Sequence, residues 1–123
     1  MGRSVVHFEV VGRDADALRS FYGTMFGWET DVQEQFNYGL IDREANTNRH
    51  GVGISGGIGY APEGYDSHVT FYVEVPDVEA ALAQAESLGG TRVMGPETLM
   101  PGVTLGQFKD PEGHVIGVLQ EMP

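Results

Sequence analysis

Residues 5–28 constrain the fold of this chain most, because they join a strand to an amphipathic helix. In the segment VVHFEVV, apolar residues alternate with His7 and Glu9, so the two sets face opposite sides of a predicted strand. A helix is predicted to begin after Asp14, a good N-terminal cap, and to end at Gly27. Its apolar stripe is expected to cover the apolar strand face, which leaves the face with His7 and Glu9 for another role.

The same pattern returns in the second half, where SHVTFYVEV precedes a helix capped at Asp77 and ended by a Gly-Gly pair. Three short strands are predicted after each helix. The chain is therefore predicted to be one α+β domain of two tandem βαβββ modules, 4–58 and 67–121, joined by a linker over 59–66. One helix covers only one sheet face, so we expect the two sheets to face each other around a cleft, with one helix packed outside each sheet.

The apolar pattern also predicts specific core residues and strands. A glycine-rich strand, HGVGISGGI, is predicted over 50–58. Four phenylalanines that follow the helix-facing pattern are expected in the core: Phe8, Phe21, Phe26 and Phe71.

Charge and composition exclude several functions. The chain of 123 residues has 18 acidic and 7 basic side chains, a net charge of −11, which disfavours nucleic acid and anionic membrane surfaces as partners. It has no cysteine, which excludes disulfides and thiolate catalysis and fits a cytoplasmic location. No apolar run has the length of a membrane span, and no signal-peptide core is present, so we expect a cytoplasmic protein.

The motifs together resemble a known superfamily. The paired modules, the VVHFEV start, the helix ending in FYGTMFGW, the second helix ending in LGG and the closing FKDPEGHVIGV are similar to the vicinal oxygen chelate superfamily, over residues 4–120. This group includes glyoxalase I, bleomycin-resistance proteins and extradiol dioxygenases. The resemblance implies the fold, but this fold serves both metal-dependent enzymes and metal-free drug-binding proteins.

Metal-dependent members carry up to four ligands, and the resemblance places these on particular positions of this chain. The first-strand ligand matches His7, its counterpart in the second module matches Thr70, and the last-strand acid matches Gly117. The fourth falls in HGVGISGGI, where His50 and Ser55 are the only candidates. Catalytic metal sites keep about three protein ligands, and this chain offers one firm ligand, so it is predicted to bind no metal. No other cofactor is predicted either.

The lost ligands suggest a pocket. Glycines 51, 53 and 117 put no side chain into the expected cleft, so it is predicted to be enlarged and bordered by aromatic residues. His68 lies two residues before Thr70, and whether it joins a weak metal site stays open. The predicted ligand-binding residues are His7, Glu9, Trp28, Phe36, Tyr38, His68, Thr70, Tyr72, Phe108 and Gly117, and none is predicted to be catalytic.

The favoured function is metal-free binding of an apolar or aromatic, antibiotic-like small molecule by a homodimer. The alternative is a metal-dependent glyoxalase-like lyase, isomerase or epimerase that uses His7 as a ligand or a base, so whether any reaction is catalysed stays open. A third possibility is an interaction module with an empty cleft.

Overall fold

The structure is a computed structural model that describes residues 2–121. Each half of the chain runs strand, helix and three strands, which confirms the α+β class and the two βαβββ modules. Neither long helix in the described part has the length and apolar character needed to cross a membrane. The elements are β1 (Val5–Gly12), α1 (Ala15–Phe26), β2 (Asp31–Gln33), β3 (Tyr38–Ile41), a 3-10 helix (Glu44–Asn46), β4 (Ser55–Tyr60), β5 (His68–Val75), α2 (Val78–Ser87), β6 (Thr91–Met100), β7 (Val103–Lys109) and β8 (Val115–Gln120).

The chain forms two compact units. The first unit contains residues 7–69, and the second contains the chain up to Val6 and from Thr70 onward. In the first unit the strands lie in the order β2-β3-β4-β1, with β1 and β4 parallel and the other neighbours antiparallel. The core of this unit is formed by buried Val10, Ile41 and Ile58, and residues of α1 pack against it.

The predicted ends of α1 are confirmed. The carboxylate of Asp14 accepts a hydrogen bond of 3.0 Å from the backbone N–H of Ala17. At the other end Gly27 adopts a left-handed conformation, with φ of 73°, and its N–H donates to the carbonyl of Gly23 over 2.9 Å. Both contacts satisfy backbone groups that the first and last turns of a helix leave unpaired.

The predicted core membership of three phenylalanines is wrong. Only Phe8 of the four packs against a core, whereas the exposed fractions of the others are 56% for Phe21, 56% for Phe26 and 41% for Phe71. Leu18 and Tyr22, one helical turn apart, are the α1 side chains that pack on the first core. The apolar stripe of α1 is therefore wider than the core that it covers.

In the second unit the strands lie in the order β5-β8-β7-β6, with β5 and β8 parallel and the other neighbours antiparallel. The helix α2 begins at Asp77, whose carboxylate accepts from the N–H of Ala80 over 3.1 Å, as predicted. It ends before Gly89, which has a φ of 95°. The core consists of Val75, Val78, Leu82 and Val118, so each helix packs on the sheet of its own unit.

The glycine-rich strand begins later than predicted. Residues 50–54 precede β4, because the preceding loop folds back on itself: the N–H of Asn48 donates to the carbonyl of Val52 over 3.0 Å. The side chain of Asn48 also accepts from the N–H groups of His50 and Val52. Gly51 has a φ of 75°, a conformation that strands do not use.

Candidate functional site

Five polar side chains of the first unit form a hydrogen-bonded group, here called the polar cluster: His7, Glu9, Tyr38, Ser55 and His68. His7 and Glu9 lie on the same face of β1, and Ser55 is paired with His7 at the start of β4. Tyr38 is the first residue of β3, and His68 is the first residue of β5. Strand alternation and the β1–β4 register thus bring His7, Glu9 and Ser55 together.

The hydroxyl of Tyr38 lies at the centre of the polar cluster. It donates to Glu9 Oε1 over 2.9 Å and lies 2.9 Å from His7 Nε2. The second carboxylate oxygen, Glu9 Oε2, is 2.7 Å from His68 Nε2. At the other end, His7 Nδ1 is 3.2 Å from Ser55 Oγ. The polar cluster is therefore a continuous chain of hydrogen bonds from Ser55 to His68.

Burial decides the electrostatics of the polar cluster. The side chain of Glu9 is 8% exposed and that of His68 is 13% exposed. A carboxylate at that depth requires hydrogen bonds to replace water, and Tyr38 and His68 supply them. Burial lowers the pKa of His7 below its ordinary value, although the negative charge of Glu9 acts in the opposite direction. The imidazole of His7 is therefore neutral at pH 7.

Glycines in β4 allow Tyr38 to reach this position. The strand order places β4 between β3, which carries Tyr38, and β1, which carries Glu9. A Cβ atom would approach the Tyr38 ring to 2.1 Å at Gly57 and to 2.5 Å at Gly59, so no side chain fits at either residue beside the ring. The ring lies across β4 because two glycines on one face leave it room.

The second unit repeats this arrangement with Tyr72, which is 4% exposed. The Tyr72 ring on β5 lies over Gly117 on β8, where an added Cβ would be 2.4 Å from the ring. Beyond it, the Tyr72 hydroxyl accepts a hydrogen bond of 2.8 Å from Gln107 Nε2 on β7. The expectation that Gly117 enlarges a pocket is therefore wrong, because an aromatic ring already fills that space.

The residues at three of the ligand positions, His7, Thr70 and Gly117, do not fit a metal ion. Both ring nitrogens of His7 are in hydrogen-bond contact with other side chains, and the hydroxyl of Thr70 donates to the Val115 carbonyl over 2.5 Å. Gly117 has no donor atom, and the Tyr72 ring covers it. Residues 2–121 contain no group of three or more His, Cys, Asp or Glu side chains placed to hold a metal.

Two predicted aromatic residues of the first unit lie outside the polar cluster. The Trp28 ring packs against Phe8, with ring centroids 5.1 Å apart, on the face of β1 opposite to His7 and Glu9. Phe36 lies in the turn between β2 and β3 and is 38% exposed. The structure brings together His7, Glu9, Tyr38 and His68 of the predicted set, and does not bring Trp28 or Phe36 to them.

Phe108, another predicted ligand-binding residue, lines a cavity of about 540 Å³ on the helix side of the second unit. The cavity lies between α2 and its sheet, and its walls include Val73, Leu88 and Ile116. Its volume falls in the range of about 300–1,000 Å³ that is typical of small-molecule pockets. The cavity belongs to the second unit and shares no residue with the polar cluster.

Two residues of these networks, Ser55 and Gln107, are not among the predicted ligand-binding residues. The sequence pattern marks Ser55 only as a candidate metal ligand, and it gives no signal for Gln107. Glycine inside a strand often marks the close approach of another group, so the run SGGIG and Gly117 were a usable signal for rings crossing the sheet.

Comparison with known proteins agrees with the fold. A family model described as a glyoxalase-like domain matches residues 7–119. No curated protein sequence matches the chain significantly.

Several solved structures are similar at low sequence identity. A glyoxalase/bleomycin resistance protein/dioxygenase superfamily member from Vibrio splendidus 12B01 is 18% identical, with a TM-score of 0.61 over 98% of this chain and 100% of that one. A methylmalonyl-CoA epimerase in complex with methylmalonyl-CoA and NH4+ is 19% identical, with a TM-score of 0.62 over 98% and 99%. The methylmalonyl-CoA epimerase from Mycobacterium tuberculosis is 13% identical, with a TM-score of 0.59 over 97% and 88%. At these identities the likeness concerns the fold alone.

Proposed function

Since this chain belongs to the glyoxalase-like domain family, we propose that it binds a small organic molecule without a metal ion, at the polar cluster. The ligand is apolar or aromatic, as for an antibiotic-like compound that the protein sequesters. The observation that carries the proposal is that both ring nitrogens of His7 are in hydrogen-bond contact with other side chains. Its two nitrogens contact Tyr38 and Ser55 instead of being directed, with other ligands, at a common metal position.

The polar cluster has the features of a preorganised binding site. The rings of His7 and Tyr38 are nearly parallel, with an interplanar angle of 20° and centroids 6.2 Å apart. The side chains of His7 and Tyr38 are partly exposed, whereas Glu9 behind them is buried. An aromatic face next to fixed polar atoms suits a flat apolar ligand with few polar groups.

Nuclear magnetic resonance on the labelled protein tests this proposal. We expect metal-free bleomycin A2, or a member of a panel of flat aromatic compounds, to shift backbone amide signals of β1, β3 and β4 in a saturable manner. Tyr38→Phe removes the hydroxyl that contacts both His7 and Glu9 and thereby positions His7, so it is expected to weaken binding about three- to tenfold, a loss of the size of one hydrogen bond. Tyr60→Phe is the matched control, because Tyr60 lies in β4 and is 42% exposed.

Two results would contradict the proposal. One is the absence of saturable shifts with every compound of the panel. The other is a set of shifts confined to α2, β7 and β8, because such a ligand would occupy the cavity of the second unit instead.

The second candidate function is a metal-independent isomerase or epimerase in which His7 is the base. The lowered pKa of His7 favours this candidate, because the imidazole is neutral at pH 7 and able to accept a proton. Solved structures of similar fold include methylmalonyl-CoA epimerases. Proton–deuterium exchange at the acidic C–H of methylmalonyl-CoA in D2O tests it. Exchange that His7→Gln abolishes would support this function, and equal exchange in both proteins would exclude His7 as the base.

We also propose that the protein forms a homodimer. The exposed apolar side chains of α1 support this, since Phe21 and Met25, one helical turn apart, are 56% and 58% exposed. Sedimentation equilibrium is expected to give twice the chain mass, and Met25→Lys is expected to shift it toward the monomer. A native protein that stays monomeric at high concentration would contradict this proposal.

A further inference from the structure

Each hydrogen bond of the polar cluster has a defined donor and acceptor, and this assignment decides which ligands the polar cluster accepts. We infer that Glu9 and Tyr38 hold His7 as the Nε2–H tautomer, so that His7 Nδ1 accepts a hydrogen bond from ligands with a hydroxyl or N–H group on an apolar body. The choice of ligand rests on the proposed binding function. The tautomer is a property of the ligand-free protein.

The direction begins at Glu9. An ionised carboxylate has no proton and only accepts hydrogen bonds. The single hydroxyl proton of Tyr38 is therefore directed at Glu9 Oε1, 2.9 Å away. His68 Nε2, 2.7 Å from Glu9 Oε2, binds the second oxygen and fixes the orientation of the carboxylate.

The direction then passes through Tyr38 to His7. Because the Tyr38 proton is given to Glu9, its oxygen takes part in the 2.9 Å contact with His7 Nε2 as an acceptor. His7 Nε2 must then carry the hydrogen. A neutral imidazole has one N–H group, so His7 Nδ1 carries a lone pair, and the Ser55 hydroxyl donates to it over 3.2 Å. The lowered pKa of His7 agrees with a neutral ring.

The contact between Ser55 and His7 is the weakest hydrogen bond of the polar cluster by length. The contact between His7 Nδ1 and Ser55 Oγ, at 3.2 Å, is the longest of the four bonds of the chain. Its length is at the upper end of the range of about 2.7–3.2 Å that is usual for hydrogen bonds between nitrogen and oxygen atoms, so a ligand donor can replace it at little cost. A ligand with only acceptor atoms cannot take the place of the Ser55 hydroxyl as a donor, so it gains no hydrogen bond with Nδ1.

Glu9 and Tyr38 are positioning residues in this account, and a spectroscopic signature tests their role. Long-range proton–nitrogen correlation spectra of the ligand-free protein at pH 7.5 report which nitrogen of His7 is protonated. We expect Nε2–H in the native protein and in Ser55→Ala. Glu9→Leu removes the final acceptor and Tyr38→Phe removes the hydroxyl, so both are expected to move His7 toward the Nδ1–H form.

Two tautomer results would overturn the inference. One is a native His7 in the Nδ1–H form, which needs no variant and therefore does not depend on how well variants fold. The other is an unchanged tautomer in folded Glu9→Leu and in folded Tyr38→Phe.

A matched pair of probes tests the ligand class separately. We expect 2-naphthol to bind the native protein about tenfold more tightly than 2-methoxynaphthalene, as for one hydrogen bond, and this preference to disappear in His7→Phe. Equal binding of the two probes would overturn the ligand class and leave the proposed binding function intact. Binding of neither, with no binding by the wider panel, would overturn the proposed function and the ligand class together.

Discussion

The space above Gly57 provides a sharp test of how the polar cluster is built. In Gly57→Ala the new Cβ would lie 2.1 Å from the Tyr38 ring, whereas an ordinary contact is 3.4 Å or longer. The ring would have to retreat by about 1.3 Å, and its hydroxyl is held by bonds of 2.9 Å to both Glu9 and His7. The substitution must therefore either overpack the sheet or displace the centre of the polar cluster.

Both outcomes lower the free energy of unfolding. Overpacking costs about 1–3 kcal/mol, and a weakened hydrogen bond to a buried charge adds to that, so we expect a loss of about 2–4 kcal/mol. Urea unfolding followed by the fluorescence of Trp28 measures it. Gly23→Ala is the matched control: Gly23 lies in α1, its Cβ would be 3.4 Å from the nearest atom, and alanine there is expected to stabilise the helix by about 0.5–1 kcal/mol.

The cause of the loss is tested in a second background. In Tyr38→Ala the ring is absent, so adding Gly57→Ala is expected to cost less than about 1 kcal/mol. If Gly57→Ala cost no more than Gly23→Ala, or cost as much without the Tyr38 ring as with it, the account of how this ring crosses β4 would be refuted.

Two further predictions concern His7 and Gly117. Because burial lowers the pKa of His7 below its ordinary 6.5, the unfolded chain binds more protons than the folded one between the lowered pKa and pH 6.5. The contribution of His7 to stability is thus complete above about pH 6.5 and is lost as the pH falls through that window. Urea unfolding at pH 7.5 and 5.5 should therefore show a larger loss in the free energy of unfolding for the native protein than for His7→Gln. Equal losses in the two proteins would contradict this. Gly117→Ala places a Cβ 2.4 Å from the Tyr72 ring and is expected to cost about 1–3 kcal/mol in the same assay, whereas a neutral effect would show that the ring does not fill this space.

Local patterns in the sequence predicted the fold well. Alternation in VVHFEVV placed His7 and Glu9 on one face of β1, and the Asp caps and terminal glycines placed both helices. These features act within a few residues, so the sequence shows them directly. The prediction failed for Phe21 and Phe26, because the width of an apolar stripe does not reveal how much of it a neighbouring sheet covers.

The polar cluster could be predicted only in part. The residues His7, Glu9, Tyr38 and His68 were all expected near a ligand, but for reasons that did not include their hydrogen bonds to one another. The link through Tyr38 depends on the order β3-β4-β1 and on the register that puts Gly57 and Gly59 beneath its ring. Strand order and register are set by tertiary packing, and a single sequence does not display them.

We propose that hydrogen bonds within the polar cluster replace a metal ion at His7. Equilibrium dialysis of the purified protein against Zn²⁺, Ni²⁺, Mn²⁺ and Fe²⁺, followed by elemental analysis, tests it most directly. We expect less than one tenth of an equivalent of each metal after dialysis, on the order of nonspecific binding, and no difference between the native protein and His7→Ala. One equivalent of any of these ions, lost in His7→Ala, would contradict the account.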